Sequence, residues 1–429
     1  MRADFDVNTP RGQETINHVA PNGTVEFAIR SLPFPGHPEI YSKKDIEKEK
    51  ELAAIDFYNG KTQDGLDIVL IPKTYSTSPG LNIHEVRLPT GMSRLDYAKG
   101  HTGKSHSGDD KVIAKYKQSI PTHFTYSPSI LGYYHLSRFL DAGNVEPAVV
   151  RTMDVDAHKP LADLGKAKAI GSNNQNQWTE LRALDESHND PRLYTQDGKQ
   201  LCGALQGNPT GEESYPHLSD LGGAGAFAAS FEFSRVTNSN PLKLIWKDDS
   251  GNLNQAAVQQ IVQIKDLSDM VLMDFIMSQA DRFSGNIHSQ KIYIWIENGI
   301  LKHKTKKSDP TRAADQKIPP AAVLINRMIL KDNDAGLISG NSAKSSHLLE
   351  KISHMDPKTY NRLLNLQSEL QKPEVAEWYQ NELLFTQADF DTVKNNVDQA
   401  LGVLTSRRDK SLFLDAGLNV TLGIEEKNG

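Results

Sequence analysis

A single cysteine, Cys202, occurs in a chain of 429 residues. That scarcity excludes an internal disulfide framework and any zinc site built from several thiolates; it is compatible with a reducing compartment and with a buried free thiol. Positive charge is not in excess either. A net charge of −6 and a pI near 6.2 exclude a protein that coats nucleic acid, which needs a basic surface to neutralise phosphates. Long apolar runs are missing: no segment approaches the roughly 18 consecutive apolar residues of a membrane helix. The opening MRADFDVNTPRGQETINHV also lacks the apolar stretch of a secretory signal. The sequence therefore reads as soluble, either cytoplasmic or exported without a classical signal peptide. With 38% hydrophobic and 24% charged residues it has enough apolar material for one large two-lobed domain or two domains.

The pattern changes along the chain. Residues 1–54 are polar and turn-rich and read as an extension with a short charged helix near its end. From 55 to 156, short strand-like runs (LDIVLIPKTY, NIHEVRLP, KVIAKYK) are separated by Gly, Ser and Pro. SPSILGYYHLSRFLDAGN then reads as a helix, with Ser127 as N-cap, Pro128 in the first turn and Gly143 as the stop, before the strand VEPAVVRTMDV. Residues 157–429 form a second, mostly helical region, of which 157–255 show no clear period. From Ala256 to Ala280 the spacing of Val258, Ile261, Val262, Leu267, Val271 and Phe275 predicts a buried helical hairpin with Asp266 as a cap between its arms. The strands KIYIWI and ILKHK, a basic stretch at 304–320 and the strand RMILKDNDAGL follow. Near the end, TQADFDTVKNNVDQALGVL is a helix with Thr386 and Asp389 spaced as a capping box. The fold class implied is α+β, with a small β-rich lobe, a mostly helical lobe and a cleft between them where ligands bind.

Chemistry concentrates in SQADRFSGNIHS, residues 278–289. Asp, Ser, Gly and Asn are ordinary loop residues, but Asp281 and Asn286 have the D-x-x-x-x-N spacing of a kinase catalytic loop, where the Asp takes the hydroxyl proton and the Asn reaches a metal. Asp332 leaves the end of an apolar strand, as a carboxylate that binds Mg²⁺ or Mn²⁺ would. Lys115 lies inside a strand, where a charged side chain calls for a partner such as a phosphate, although Lys111 and Lys117 nearby also fit a solvated edge. Arg282 is expected to pair with a buried carboxylate, Asp274 to hold the loop in place, Asp334 to serve the turn and His288 to be exposed.

Three blocks resemble the atypical kinases of the secretory pathway, the Golgi casein kinase family, and more distantly the HipA-type kinases and phosphoinositide lipid kinases. VIAKYKQSIP is similar to the nucleotide-lysine strand, FTYSPSILGYYHLSRFLDAGNVEPAVVRTM to the helix that follows it, and IKDLSDMVLMDFIMSQADRFSGN with LKDNDAGL to the catalytic loop and metal-Asp turn. The resemblance implies a two-lobed protein-kinase-like fold, ATP and Mg²⁺ or Mn²⁺ as cofactors, and a protein substrate. It implies Lys115 as the ATP lysine, Asp281 as the catalytic base, and Asn286 with Asp332 as metal ligands. The family's helix carries a Glu that pairs with the lysine; here Ile130 stands in its place and no acid occurs from Pro128 to Leu140, so either another acid, such as Glu180 or Glu186, takes over or the site is altered. Glu297 competes with Asp332 for the metal. Two rivals stay open: a pseudokinase-type module that binds nucleotide or a partner, and another transfer on the same scaffold, such as AMPylation. KGHTGKSHSG, residues 99–108, mimics a P-loop, but its first glycine would fall at Ala98 and no helix follows; it fits a phosphate-covering loop better.

Overall fold

The computed structural model describes residues 14–76, 78–101, 110–120, 125–187, 193–219, 221–240, 242, 252–298, 300–306, 317–338, 340–408 and 413–414. Most of the P-loop-like segment and most of the basic stretch lie outside these residues. The first lobe holds β1 (Glu14–Val19), β2 (Val25–Arg30), α1 (Lys43–Ala53), β3 (Asp67–Pro72), β4 (Leu81–Val86), α2 (Arg94–Gly100), β5 (Lys111–Gln118) and α3 (Ser127–Leu140). β6 (Ala148–Asp154), α4 (Val155–Lys168), α5 (Ser172–Ser187) and β7 (Gln200–Gly207) complete it. Its seven strands form one antiparallel sheet in the order β1-β2-β6-β7-β5-β4-β3.

Two expectations about boundaries change here. Residues from Glu14 onward are not an extension, because β1 and β2 pair with each other and β2 pairs with β6. The first lobe does not end at 156 either, since β7 sits between β6 and β5 in the middle of the sheet. β7 is buried along its length, yet its sequence QLCGALQG carries two glycines and no alternation that marks a strand.

Side chains alternate across β5. Ala114 and Tyr116 face a core shared with Trp178, Leu161 and Leu181 of α4 and α5, so Lys115 and Lys117 project from the other face. That face is covered by α3, which contacts β6 and β7 and also packs into the second lobe. Pro128 occupies the first turn as expected, but the N-cap is Tyr126, without a side-chain cap; the Ser127 hydroxyl contacts that of Ser119 at 3.0 Å. The helix stops at Asp141, two residues before Gly143, with φ 53° and ψ 42°, a left-handed conformation that Asp tolerates better than most residues.

The second lobe follows with β8 (Glu212–Ser214), α6 (Ala224–Ala228), α7 (Phe231–Thr237), α8 (Gln255–Ile276), β9 (His288–Glu297), β10 (Ile300–Thr305) and β11 (Val323–Ile329). It ends with α9 (Ser342–Ser345), β12 (His354–Met355), α10 (Pro357–Glu369), α11 (Pro373–Glu382), α12 (Gln387–Arg408) and β13 (Phe413–Leu414). The expected helical hairpin is instead one helix, α8, buried over nearly its whole length. Asp266 is no cap: its carboxylate accepts from Arg327 Nε at 2.7 Å and from the Met328 amide at 2.8 Å, tying α8 to β11. The Thr386–Asp389 capping box forms as expected, with reciprocal bonds of 2.8 and 3.1 Å. Residues of α3, α8 and α10–α12 share one core, so the α+β, two-lobed fold read from the sequence is what the chain adopts, with α3 as the joint between lobes. Cys202, the single cysteine, is buried and in no disulfide. Among the described residues no helix is long and apolar enough to cross a membrane.

Candidate functional site

The site begins at the end of α8. Asp274, fully buried, accepts from the Tyr133 hydroxyl of α3 at 2.6 Å and from Arg282 Nε at 3.0 Å. Burial raises the Asp274 carboxyl above its ordinary range, with Arg282 opposing that shift. The same guanidinium donates to Asn333 Oδ1 at 2.6 Å, to the Lys331 carbonyl and to the Asn286 carbonyl at 3.4 Å. One buried cation thus fastens the 281–286 loop both to α8 and to the 331–333 turn. Both expectations for this pair, Arg282 on a buried carboxylate and Asp274 as the anchor of the loop, are met.

Within the loop the Asn286 side-chain amide donates to the Asp281 carbonyl at 3.0 Å and to its carboxylate at 3.1 Å. Gln279 accepts from the Asp281 amide at 3.1 Å and donates to the Asp332 carbonyl at 3.4 Å, while the Ala280 amide reaches the Ala335 carbonyl at 3.2 Å. Asp281 and Asp332, far apart in sequence, are therefore carried on two segments bonded side by side. Gly336 permits this approach: a Cβ there would stand 2.3 Å from Ser129 Oγ and 2.9 Å from the Met277 carbonyl. Asp332 itself is left-handed, with φ 52° and ψ 47°.

Around Asp332 the charges are dense. Lys117 donates to Asp334 at 2.7 Å and to Asp332 at 3.5 Å; Lys331 pairs with Glu212 and lies 3.8 Å from Asp332. Burial acts to raise the Asp332 carboxyl, but Lys117, Lys331, Lys73 and Lys115 outweigh it and hold the group well below the usual carboxylate range. The reciprocal effect appears on Lys117, whose burial would favour the neutral amine but whose pKa is raised by Asp334 and Asp332. Lys115 is pushed down by burial and Lys331, against Asp332 and Glu212. Lys115, Lys117, Lys331, Asp332 and Asp334 line one narrow cleft together with Glu146, whose carboxyl burial raises. Asp281 and Asn286 lie beside this cleft, half-buried, and are not part of its lining.

The sequence reading placed Lys115 and Asp332 together, and the structure does so too. It missed several neighbours. Asp334 is not merely a turn residue but the closest partner of Lys117. β5 lies between β4 and β7, so its lysines are not edge residues, and Lys117 is only 5% exposed. Glu186 is exposed and pairs with Arg182 at 2.6 Å and with Lys159, on the far side of the sheet; neither it nor Glu180, on the same helix, replaces the helix acid. The acids that act on Lys115 are Asp332 and Glu212 of β8. Glu297 is exposed at the tip of the β9–β10 hairpin. His288, expected to be exposed, lies 3.3 Å from Glu212 and 3.9 Å from Asp332, and burial beside Lys331 lowers it to about 4, which leaves it neutral at pH 7. One signal could have found a missing partner: Lys117 follows Lys115 at the strand period of two, on the same face of β5, whereas Asp334 lies in the 3-10 turn after Asp332, where that period does not apply. Among the described residues no group of three or more His, Cys, Asp or Glu is placed to hold a metal by itself.

No protein-family profile matches the chain, and no curated protein matches it. Among solved structures, the chain is similar to the Golgi casein kinase, at 11% identity over 87% of this chain and 79% of that one, with a TM-score of 0.43. A second structure of the Golgi casein kinase, with Mn and ADP bound, is similar at 12% identity over 85% and 76%, with a TM-score of 0.41.

Proposed function

We propose that this chain is a phosphotransferase that binds ATP with Mg²⁺ or Mn²⁺ in the cleft between its lobes and passes the γ-phosphoryl group to a protein hydroxyl. The observation that supports this most is the cluster around Asp332: four lysines, Lys73, Lys115, Lys117 and Lys331, act on one carboxylate at the mouth of a loop carrying Asp281 and Asn286. Lys117 and Lys331 are paired with acids of the cluster, while Lys73 and Lys115 carry no ion pair among the described residues and suit a polyphosphate, whose charge they offset. A divalent ion would supply charge neutralisation between phosphate oxygens. Asp332 and Asn286 would hold it, and phosphate oxygens complete its shell, as is usual for Mg²⁺. Lys115 orients the phosphates. Asp281 accepts the proton as the acceptor oxygen forms its bond to the γ-phosphorus and the bond to ADP breaks.

The test is incubation with γ-labelled ATP and Mn²⁺, alone and with candidate protein acceptors. Transfer of label that is lost in Asp281→Ala supports the assignment; undiminished transfer in both Asp281→Ala and Asp332→Ala refutes it. A second reading, nucleotide binding without transfer, is favoured by one observation: α3 carries no acid from Pro128 to Leu140 to pair with Lys115, on which Asp332 and Glu212 act instead. ATP-dependent stabilisation without any label transferred is its signature. Label from the α-phosphate appearing on the acceptor marks AMPylation instead.

A further inference from the structure

The cluster contains a lysine that the sequence gives no reason to notice. Lys73 follows β3, at the entry to the connection with β4, and is 6% exposed. Its backbone is committed: the amide bonds the Gly80 carbonyl at 2.9 Å, and its carbonyl accepts from Trp178 Nε1 at 3.3 Å. The next carbonyl, that of Thr74, accepts from the Ile170 amide at 2.7 Å and from the Asn174 side chain at 2.6 Å. The start of α5 and the turn before it therefore clamp this connection from outside. Gly80 lets two side chains pass at its surface, since a Cβ there would meet Lys117 Cγ at 3.3 Å and Lys73 Cδ at 3.6 Å.

The ammonium of Lys73, by contrast, has no hydrogen-bond or ion-pair partner among the described residues. The charged groups that act on it are Lys117, Asp332, Lys115 and Asp334, all of the cleft. Lys117 already serves Asp334 and Asp332. Burial, with Lys117 and Lys115 beside it, lowers the Lys73 amine well below its ordinary range, against Asp332 and Asp334, and a phosphate entering the cleft favours its charged form.

We propose that Lys73 is a phosphate-binding residue, which with Lys115 grips a polyphosphate from either side of β4, and that the site thereby selects chains of two or three phosphates over one. This rests on the nucleotide reading for the identity of the ligand but not for its phosphate chemistry. Lys117 then positions Asp332 and Asp334, and the α4–α5 pair holds the Lys73 connection rigid.

The experiment measures binding of tripolyphosphate, ATP, ADP, AMP and adenosine, each with Mn²⁺, by calorimetry on the full chain. The variants are Lys73→Met and Lys73→Arg, with Lys73→Gln as the alternative if the methionine form does not fold. The expected result is a loss on the order of tenfold or more for tripolyphosphate and ATP in Lys73→Met, as for a lost charged hydrogen bond. AMP and adenosine should be unchanged, Lys73→Arg should recover part of the loss, and the ligand-free unfolding midpoint should not fall. Equal affinity of wild type and Lys73→Met for tripolyphosphate overturns the proposal, as does an equal loss for adenosine. Tripolyphosphate binding that depends on Lys73, with no binding of ATP or adenosine, upholds the phosphate site and defeats the nucleotide reading. ATP binding indifferent to Lys73 does the reverse.

Discussion

Replacing Arg282 by Met should be severe, and its size should depend on pH. Arg282 is buried, with Nε and Nη2 on Asp274, Nη2 also on Asn333, and Nη1 on the carbonyls of residues 286 and 331. Its removal leaves the Asp274 carboxylate with the Tyr133 hydroxyl alone. An uncompensated buried charge costs about 3–5 kcal/mol. Asp274 can escape part of that by taking up a proton. Burial already raises its carboxyl above the ordinary 3.8, and loss of the guanidinium raises it further. A carboxyl whose folded pKa exceeds its unfolded one stabilises the fold fully below the unfolded value and loses that contribution as pH rises through the folded value. At about 1.4 kcal/mol per pH unit, the variant's deficit relative to wild type should grow by up to about 2.7 kcal/mol between pH 5 and pH 7. Urea unfolding at both pH values measures this, and Arg282→Met with Asp274→Leu should be less destabilised at pH 7 than Arg282→Met alone. A deficit under about 1 kcal/mol, equal at both pH values, would refute the reasoning, because a buried ion pair removed from one side cannot be that cheap.

Asp281→Ala should lower phosphoryl transfer by about 10²–10⁴ with the unfolding midpoint nearly unchanged, since its side chain is half-buried and bonded to Asn286; steady-state transfer rates check this. Gly336→Ala should cost about 1–3 kcal/mol, as overpacking does, because its Cβ would press on Ser129 Oγ and the Met277 carbonyl; denaturant midpoints measure it, and Ser129→Ala in the same chain should recover only part. Asp269 is fully buried and raised to about 6, chiefly by burial against Lys265. The fold should therefore lose stability as pH climbs from about 4 through 6, and Asp269→Asn should flatten that slope in unfolding measured across the range.

How far the sequence carried the fold depended on whether a segment's partner lay close by. β3, β4 and β5, the helix at 127–140 and the capping box at 386–389 announce themselves through local pattern, because alternation, caps and turn residues act over a few positions. β7 did not. Its place in mid-sheet is set by β5 and β6, and with two glycines it has little intrinsic strand character. Asp266 reads as a helix breaker until Arg327, 61 residues away, is known to take it. At the site, the side chains that chemistry pairs by spacing (Asp281 with Asn286) do meet, whereas Lys73, Glu212 and His288 converge on the surroundings of Asp332 through tertiary packing that no local period encodes.

The place of β7 has a consequence for how the chain can be made. During synthesis, strands β1, β2 and β6 emerge as one half of the sheet and β3, β4 and β5 as the other, and neither half pairs directly with the other. The keystone is supplied only at residues 200–207, after α4 and α5. Until then two strand borders stay open to solvent, each a template for association with another chain. A fragment cut at the end of β6 keeps both borders permanently, so the lobe is a unit of assembly only when the chain runs past Gly207.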